Sequence, residues 1–346
     1  MRSVASALGR PPVYLGIVLV IAAAFLPAVL ATKWVHLLIL TYIITVAAIS
    51  WNLIGGFGGQ ISLGNSVFFG LTAYSIGILM VTFELPYVVA FAVGMVLTVV
   101  AALIIGYPSF KLTGHYFALA TITVVEGMRF LARYFRDFTG GERGFSLVPA
   151  TVTGDPLLNL SQTGHYRLAL GLFVLAFLVS VWFRYSKMGY YMMAIRDDQV
   201  AASSLGIDVP RYKMYTWLLC AVLTGLAGAM YATYIQYLDP QYMFSVNQSV
   251  LYAITPVIGG AGTLLGPILG TFLVFPMQHM AITEFGGAYG SATYMVYGAL
   301  LIVLIVYAPE GVLPKLRFIG EWVNRHAPRR APAESEAGST ESPPDP

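Results

Sequence analysis

From Trp34 to Phe83 the chain carries no Asp, Glu, Lys or Arg, and from Pro240 to Thr283 it again carries none. Hydrocarbon offers no hydrogen-bond partner to a backbone N–H or C=O, so a chain of such runs can span lipid only as helices or a closed barrel. A helix needs about 20 mostly apolar residues to cross. Runs of suitable length lie near 13–31, 34–54, 60–83, 86–108, 115–132, 168–183, 214–238, 240–257, 263–283 and 289–308. Charged residues make up 10% of the chain, against about 25% in soluble domains. The expectation is an all-α polytopic membrane protein with about 8–10 transmembrane helices.

Ten crossings would return both termini to one side. Arg2, Arg10, Lys111, the basic residues of segment 184–213 and those of the C-terminal tail would share that side, thirteen against six on the other. The positive-inside rule makes the richer side cytoplasmic. This divides the chain into a cytoplasmic N-terminus (1–12), a transmembrane domain (13–325) and a tail (326–346). The tail is rich in Pro, Ser, Glu and Ala, with almost nothing apolar to offset ordering entropy, so it is expected to be disordered. The first apolar run lacks a clear small-residue cleavage site. Cys220 stands alone in an apolar run, so the chain cannot form an internal disulfide.

Each uncharged block is broken by glycines. Ile54-Gly55-Gly56-Phe57-Gly58 interrupts the first and Ile258-Gly259-Gly260-Ala261-Gly262 the second. Glycine weakens a helix interior and permits close backbone approach. Paired interruptions in two parts of a membrane chain point to a substrate path. They are equally compatible with tight turns between neighbouring spans. The candidate path residues are Gly55, Gly56, Gly58, Gly59, Gln60, Ser62, Gly64 and Asn65, with Gly259, Gly260 and Gly262 in the second block.

The sequence holds little covalent chemistry. It has no GxxxxGK[ST] phosphate loop and no GxSxG, its histidines are scattered without metal-ligand spacing, and Cys220 has no evident activating partner. Glu126 and Arg129, three apart in the fifth run, can neutralise each other on a helix. An ion-coupled secondary transporter would carry several central carboxylates, and a membrane-embedded enzyme a polar cluster near the interface. Neither pattern is present.

One polar island remains, Arg184 to Lys213. From Lys187 to Leu205 it has no proline, and Met188, Met192, Ile195, Ala202 and Leu205 recur at helical spacing. The pattern predicts an amphipathic helix, ended by Gly206 and Pro210. Such a helix can lie in a groove on a partner protein or rest on lipid headgroups.

Residues 184–270 resemble the signature region of permease subunits of branched-chain amino acid ABC importers. The likeness runs through Gly189, Ala194-Ile195-Arg196, Ala201-Ala202, Leu205-Gly206-Ile207, Tyr212-Lys213 and Leu223 to Ala229. It continues through Pro240, Ser249, Ile258 to Thr263 and Gly266-Pro267. The N-terminal half is similar through Asn52 to Gly64, Phe68-Phe69-Gly70, Ala73-Tyr74, Leu112 to Leu119 and Thr139-Gly140-Gly141. The ordered series covers about residues 40–315.

The resemblance implies that Ala201-Ala202-Ser203-Ser204-Leu205-Gly206 is where an ATPase subunit docks. The implied coupling residues are Ile195, Arg196, Asp197, Ala201, Ala202, Leu205 and Gly206, and Tyr116 and Phe117 join the implied path. Implied partners are a second homologous permease, two cytoplasmic ATPases that would hold ATP-Mg, an extracytoplasmic solute-binding protein and membrane lipid. No cofactor in this chain and no nucleic acid are expected. Leucine, isoleucine or valine would be the solute, although relatives handle urea, short amides and small carboxylates. Three departures stand out: Val200 where the general importer loop has glutamate, Asp197-Asp198 where the family commonly has Glu-Asn, and Asn65 where many relatives carry histidine.

Overall fold

The computed structural model describes residues 22–112, 114–147, 156–281, 298 and 311. The N-terminal segment, the tenth run, Glu284 and the tail lie outside the described residues. Among the described residues ten helices carry the fold: α1 Thr32–Ile54, α2 Asn65–Val81, α3 Tyr87–Ser109, α4 His115–Tyr134, α5 Gln162–Tyr185, α6 Lys187–Asp197, α7 Gln199–Ser204, α8 Val209–Ile235, α9 Val246–Gly260 and α10 Gly266–Met280. Short helical turns and a two-residue antiparallel pairing, Phe145 opposite Leu238 and Ser146 opposite Tyr237, complete the described elements.

Helices α1, α3, α5 and α8 have 23, 23, 24 and 27 residues, or about 35–40 Å at 1.5 Å per residue. Each can therefore cross a hydrocarbon core of about 30 Å. Helix α1 is almost wholly buried at the centre, against α5, α8, α9 and α10. By contrast α3 and α5 turn apolar side chains outward, among them Val96, Ile104, Leu178 and Trp182. An apolar exterior is what lipid requires.

Eight helices alternate in direction between two ends of the bundle. At one end lies the 184–213 island, beside the ends of α1 and α9; at the far end the Tyr237–Leu238 strand meets Phe145 and Tyr74. The alternation agrees with the spacing of the sequence runs, but several boundaries differ. Helix α2 starts at Asn65, not at residue 60, because Gly59 adopts φ +66° and the chain to Gly64 is irregular. The Trp51 Nε1 bond to Ser62 O, at 2.6 Å, holds that segment. Helix α8 begins earlier than expected, at Val209, since the Asp208 side chain accepts from Arg211 N.

Helices α9 and α10 are 15 residues each, about 22 Å long, and they cross at very short range. A Cβ on Gly259 would lie 1.8 Å from Gly266 O, and one on Gly270 1.8 Å from Thr255 O. Small residues allow this approach, the usual packing device where lipid removes the hydrophobic drive between helices. Several buried hydroxyls are satisfied within the bundle: Ser50 Oγ lies 2.7 Å from Thr224 Oγ1 and donates to Cys220 O, while Thr72 pairs with Thr98. Glu126 and Arg129 form the ion pair their spacing suggests, on the partly exposed side of α4.

Candidate functional site

Two capping side chains build the helices of the island. Ser186 Oγ accepts from Gly189 N at 3.2 Å and opens α6. Asp198 is extended, φ −157° and ψ 115°, and its Oδ1 accepts from Val200 N at 2.7 Å and Ala201 N at 3.0 Å. An aspartate whose side chain satisfies the first free N–H groups starts a helix, not continues one. The single helix expected over 187–205 is therefore two, α6 and α7, hinged at Asp198. Gly206, at φ +84°, ends the unit in a backbone conformation that side chains resist.

Its apolar face does not await a partner. Met192, Ile195 and Ala202 are buried against the chain's own bundle, at 0%, 1% and 2% exposure. Leu205, expected on the same face, is 83% exposed, and Val200 is 77% exposed. The exposed residues of α6–α7 are thus Lys187, Tyr190, Arg196 and Asp197 on α6 and Val200, Ala201, Ser203 and Ser204 on α7, with Asp198 between the helices and Leu205 after them. Lys213, buried at the start of α8, donates from Nζ to Gln199 Oε1 at 3.1 Å and fastens α7 to α8.

Beneath this unit the two glycine-broken segments meet. A Cβ on Gly56 would sit 2.5 Å from Gly262 N, so the backbones touch where only glycine fits. Asn52, wholly buried, clamps the contact: its Nδ2 donates to Thr263 O and its Oδ1 accepts from Gly262 N, both at 2.9 Å. Arg196 closes the joint from the island. Its Nη1 donates to Gly56 O at 2.7 Å, lies 2.7 Å from the Cβ position of Gly262, and its stem lies against Gly59. One guanidinium therefore touches α6, the first glycine turn and the second.

The remaining sequence candidates separate into groups. Gly55, Gly58 and Gly64 pack against Trp51, Met192 and Thr121. Gly259 and Gly260 lie at the end of α9, where Gly259 serves the close crossing with α10. Ser62 Oγ donates to Asn65 Oδ1 at 3.2 Å, and Asn65 Nδ2 is buried without a partner among the described residues. Tyr116 and Phe117 point apart: Tyr116 is 71% exposed, whereas Phe117 stacks on Phe110 and meets Trp217. Gly59 and Gln60 do border a cavity of about 290 Å³, shared with His115, Arg196, Asp198 and Gln199.

A larger cavity, about 570 Å³, lies at the far end between α1, the end of α8, the 239–248 segment, α9 and α10. Sequence reading passed over its lining. The available signal was the cluster of uncharged polar residues, Gln241, Asn247, Gln248 and Gln278, inside a block with no charge.

Comparison with known proteins follows the same outline. The high-affinity branched-chain amino acid transport system permease protein LivM of Escherichia coli (strain K12) is 24% identical over 330 residues, covering 89% of this chain and 76% of that protein. The probable branched-chain amino acid transport permease protein LivM of Methanocaldococcus jannaschii is 24% identical over 255 residues, 69% of each chain. The LivH permease of E. coli (strain K12) is 25% identical over 204 residues, covering 56% of this chain and 63% of that one. The family model described as "Branched-chain amino acid transport system / permease component" matches residues 33–305. The chain therefore belongs to the family of branched-chain amino acid transport system permease components.

Proposed function

We propose that this chain forms half of the translocation path of an ATP-binding-cassette importer for branched-chain amino acids. It would pair with a second homologous permease, with two ATPases that bind ATP-Mg, and with an extracytoplasmic solute-binding protein. The island end would be cytoplasmic, as the excess of Lys and Arg there favours. The observation that carries this reading is Arg196, which links the island to both glycine segments.

In this account the ATPases grip the outward surface of α6 and α7. Nucleotide-driven closure moves that unit as a body, because its inner face is buried and Lys213 holds α7 to α8. Arg196 passes the displacement to Gly56 and Gly262, whose contact sits at the island ends of α1 and α9. Separating or closing that contact exchanges two states of the path, and nucleotide biases the equilibrium between them. The chain itself performs no bond-breaking step.

The reading is tested by reconstituting the chain with a second permease, two ATPases and a solute-binding protein of the same importer class. Uptake of leucine into proteoliposomes should require ATP, the ATPases and the binding protein. Uptake by this chain alone, driven by an ion gradient, would replace the importer reading with that of a secondary transporter.

A further inference from the structure

The outer face of α5 holds an apolar trough of about 450 Å³, lined by Gly171, Val174, Leu175, Leu178, Val179 and Trp182. Leu178 and Trp182 are 60% and 59% exposed, so the trough opens outward. From Gly171 to Trp182 the helix rises about 16 Å, close to half of a hydrocarbon core of about 30 Å. The trough therefore has the depth of one leaflet. Beyond Trp182 the chemistry changes. No Asp, Glu, Lys or Arg occurs from Leu168 to Phe183, and then Arg184 and Lys187 follow within four residues. The Arg184 Cζ lies 5.9 Å from the Tyr185 ring centre and 6.0 Å from that of Tyr190. Such contacts engage the cation by its face and leave its N–H fork for an anion, a geometry that matches phosphate. Lys187 is exposed one turn further on, and among the described residues neither cation forms an ion pair.

We propose that the island end of α5 binds one anionic phospholipid, with its phosphate on Arg184 and Lys187 and an acyl chain in the trough beside Trp182. Trp and Tyr side chains settle at headgroup depth, and basic side chains just beyond that depth attract anionic lipid. The occupant is argued from continuity. A molecule that is apolar over one leaflet and anionic at its end meets both parts of the surface. A soluble partner would meet only the cations, and a transmembrane helix only the trough. A zwitterionic lipid gains less, because its own ammonium offsets the phosphate. The lipid site does not rest on the importer reading.

The test titrates the detergent-solubilised full chain with dioleoylphosphatidylglycerol or dioleoylphosphatidylcholine and counts bound lipids by native mass spectrometry. One phosphatidylglycerol should be retained at concentrations that leave phosphatidylcholine unbound. Arg184→Gln and Lys187→Gln should each raise the half-saturating concentration roughly fivefold, which corresponds to about 1 kcal/mol per basic residue. Lys111→Gln removes a cation that lies over Tyr107 just past α3, and it should leave that concentration unchanged. Phosphatidylglycerol with a dibrominated acyl chain should quench tryptophan emission in the parent, and less so in Trp182→Phe. Burial of Cys220 against a thiol dye checks the fold of each variant. Should Arg184→Gln fail that check, Lys187→Gln carries the same expectation.

Equal retention of the two lipids overturns the inference. So does a shift in Lys111→Gln as large as in the α5 variants, which would mean diffuse surface charge. Displacement of the lipid by inorganic phosphate at the same concentration rejects a lipid site in favour of a phosphate site. Retention unchanged in both Arg184→Gln and Lys187→Gln also overturns it, and a fall in ATPase co-purification in those variants would then assign the patch to that partner.

Discussion

Replacing Asn52 by leucine is the sharpest probe of the glycine joint. The substitution nearly conserves volume, so it creates little cavity, but it removes both 2.9 Å bonds to the second glycine segment. Gly262 N and Thr263 O then lose their partner. An orphaned backbone group costs about 1–3 kcal/mol when buried; both residues are only half-buried here, so the lower part of that range applies and the pair is worth about 2–4 kcal/mol. With about 2–4 °C per kcal/mol for larger domains, the unfolding midpoint should fall by about 4–16 °C. The chain carries its own reporter. Cys220 is its single cysteine, is fully buried, and donates from Sγ to Ser50 O at 2.8 Å, two residues before Asn52 on α1. A fluorogenic thiol dye on the detergent-solubilised chain therefore reads loss of packing beside the clamp. A midpoint within about 1 °C of the parent would refute the claim that Asn52 locks the two segments together.

Gly270→Val should sharply reduce folded yield, measured by size-exclusion chromatography, because its first side-chain atom would meet Thr255 O at 1.8 Å and overpacking typically costs about 1–3 kcal/mol or more. Ala202→Arg should lower the dye-reported midpoint of the chain by itself, since Ala202 is buried in its own bundle; Leu205→Glu should leave that midpoint unchanged and weaken ATPase co-purification. Asp198→Ala should cost about 1 kcal/mol through loss of the α7 cap, visible as faster amide exchange at Val200 and Ala201. Glu126→Gln should retain uptake, because its pairing with Arg129 on a partly exposed surface contributes at most about 1 kcal/mol.

Much of this architecture is readable from the chain. Uncharged runs located the long helices because lipid imposes one length and one backbone solution. The glycine blocks were recognisable as interruptions, but periodicity cannot tell that Gly56 and Gly262, over 200 residues apart, touch. That fact depends on tertiary packing. The island looked like one amphipathic helix because Met192, Ile195, Ala202 and Leu205 share a spacing. The break arises from Asp198, whose capping role competes with its place in the apolar period, and it turns Leu205 outward. Arg196 was legible as part of the island and not as a bridge, since its acceptor is a distant backbone carbonyl with no sequence signature. The far-end cavity went unseen because glutamine in an uncharged run reads as tolerated polarity until the fold gathers several around one space.

The most direct test of the whole account is Arg196→Ala in the reconstituted importer, with leucine uptake and ATP hydrolysis measured together. The variant loses one charge-assisted bond to Gly56 O, worth about 1.5–3 kcal/mol, while the other exposed residues of α6 and α7 are unchanged. The account predicts that the ATPases still assemble and hydrolyse ATP, and that leucine uptake per ATP falls about tenfold or more. Uptake per ATP equal to that of the parent would contradict it, because the island would then drive the path without the residue that joins them.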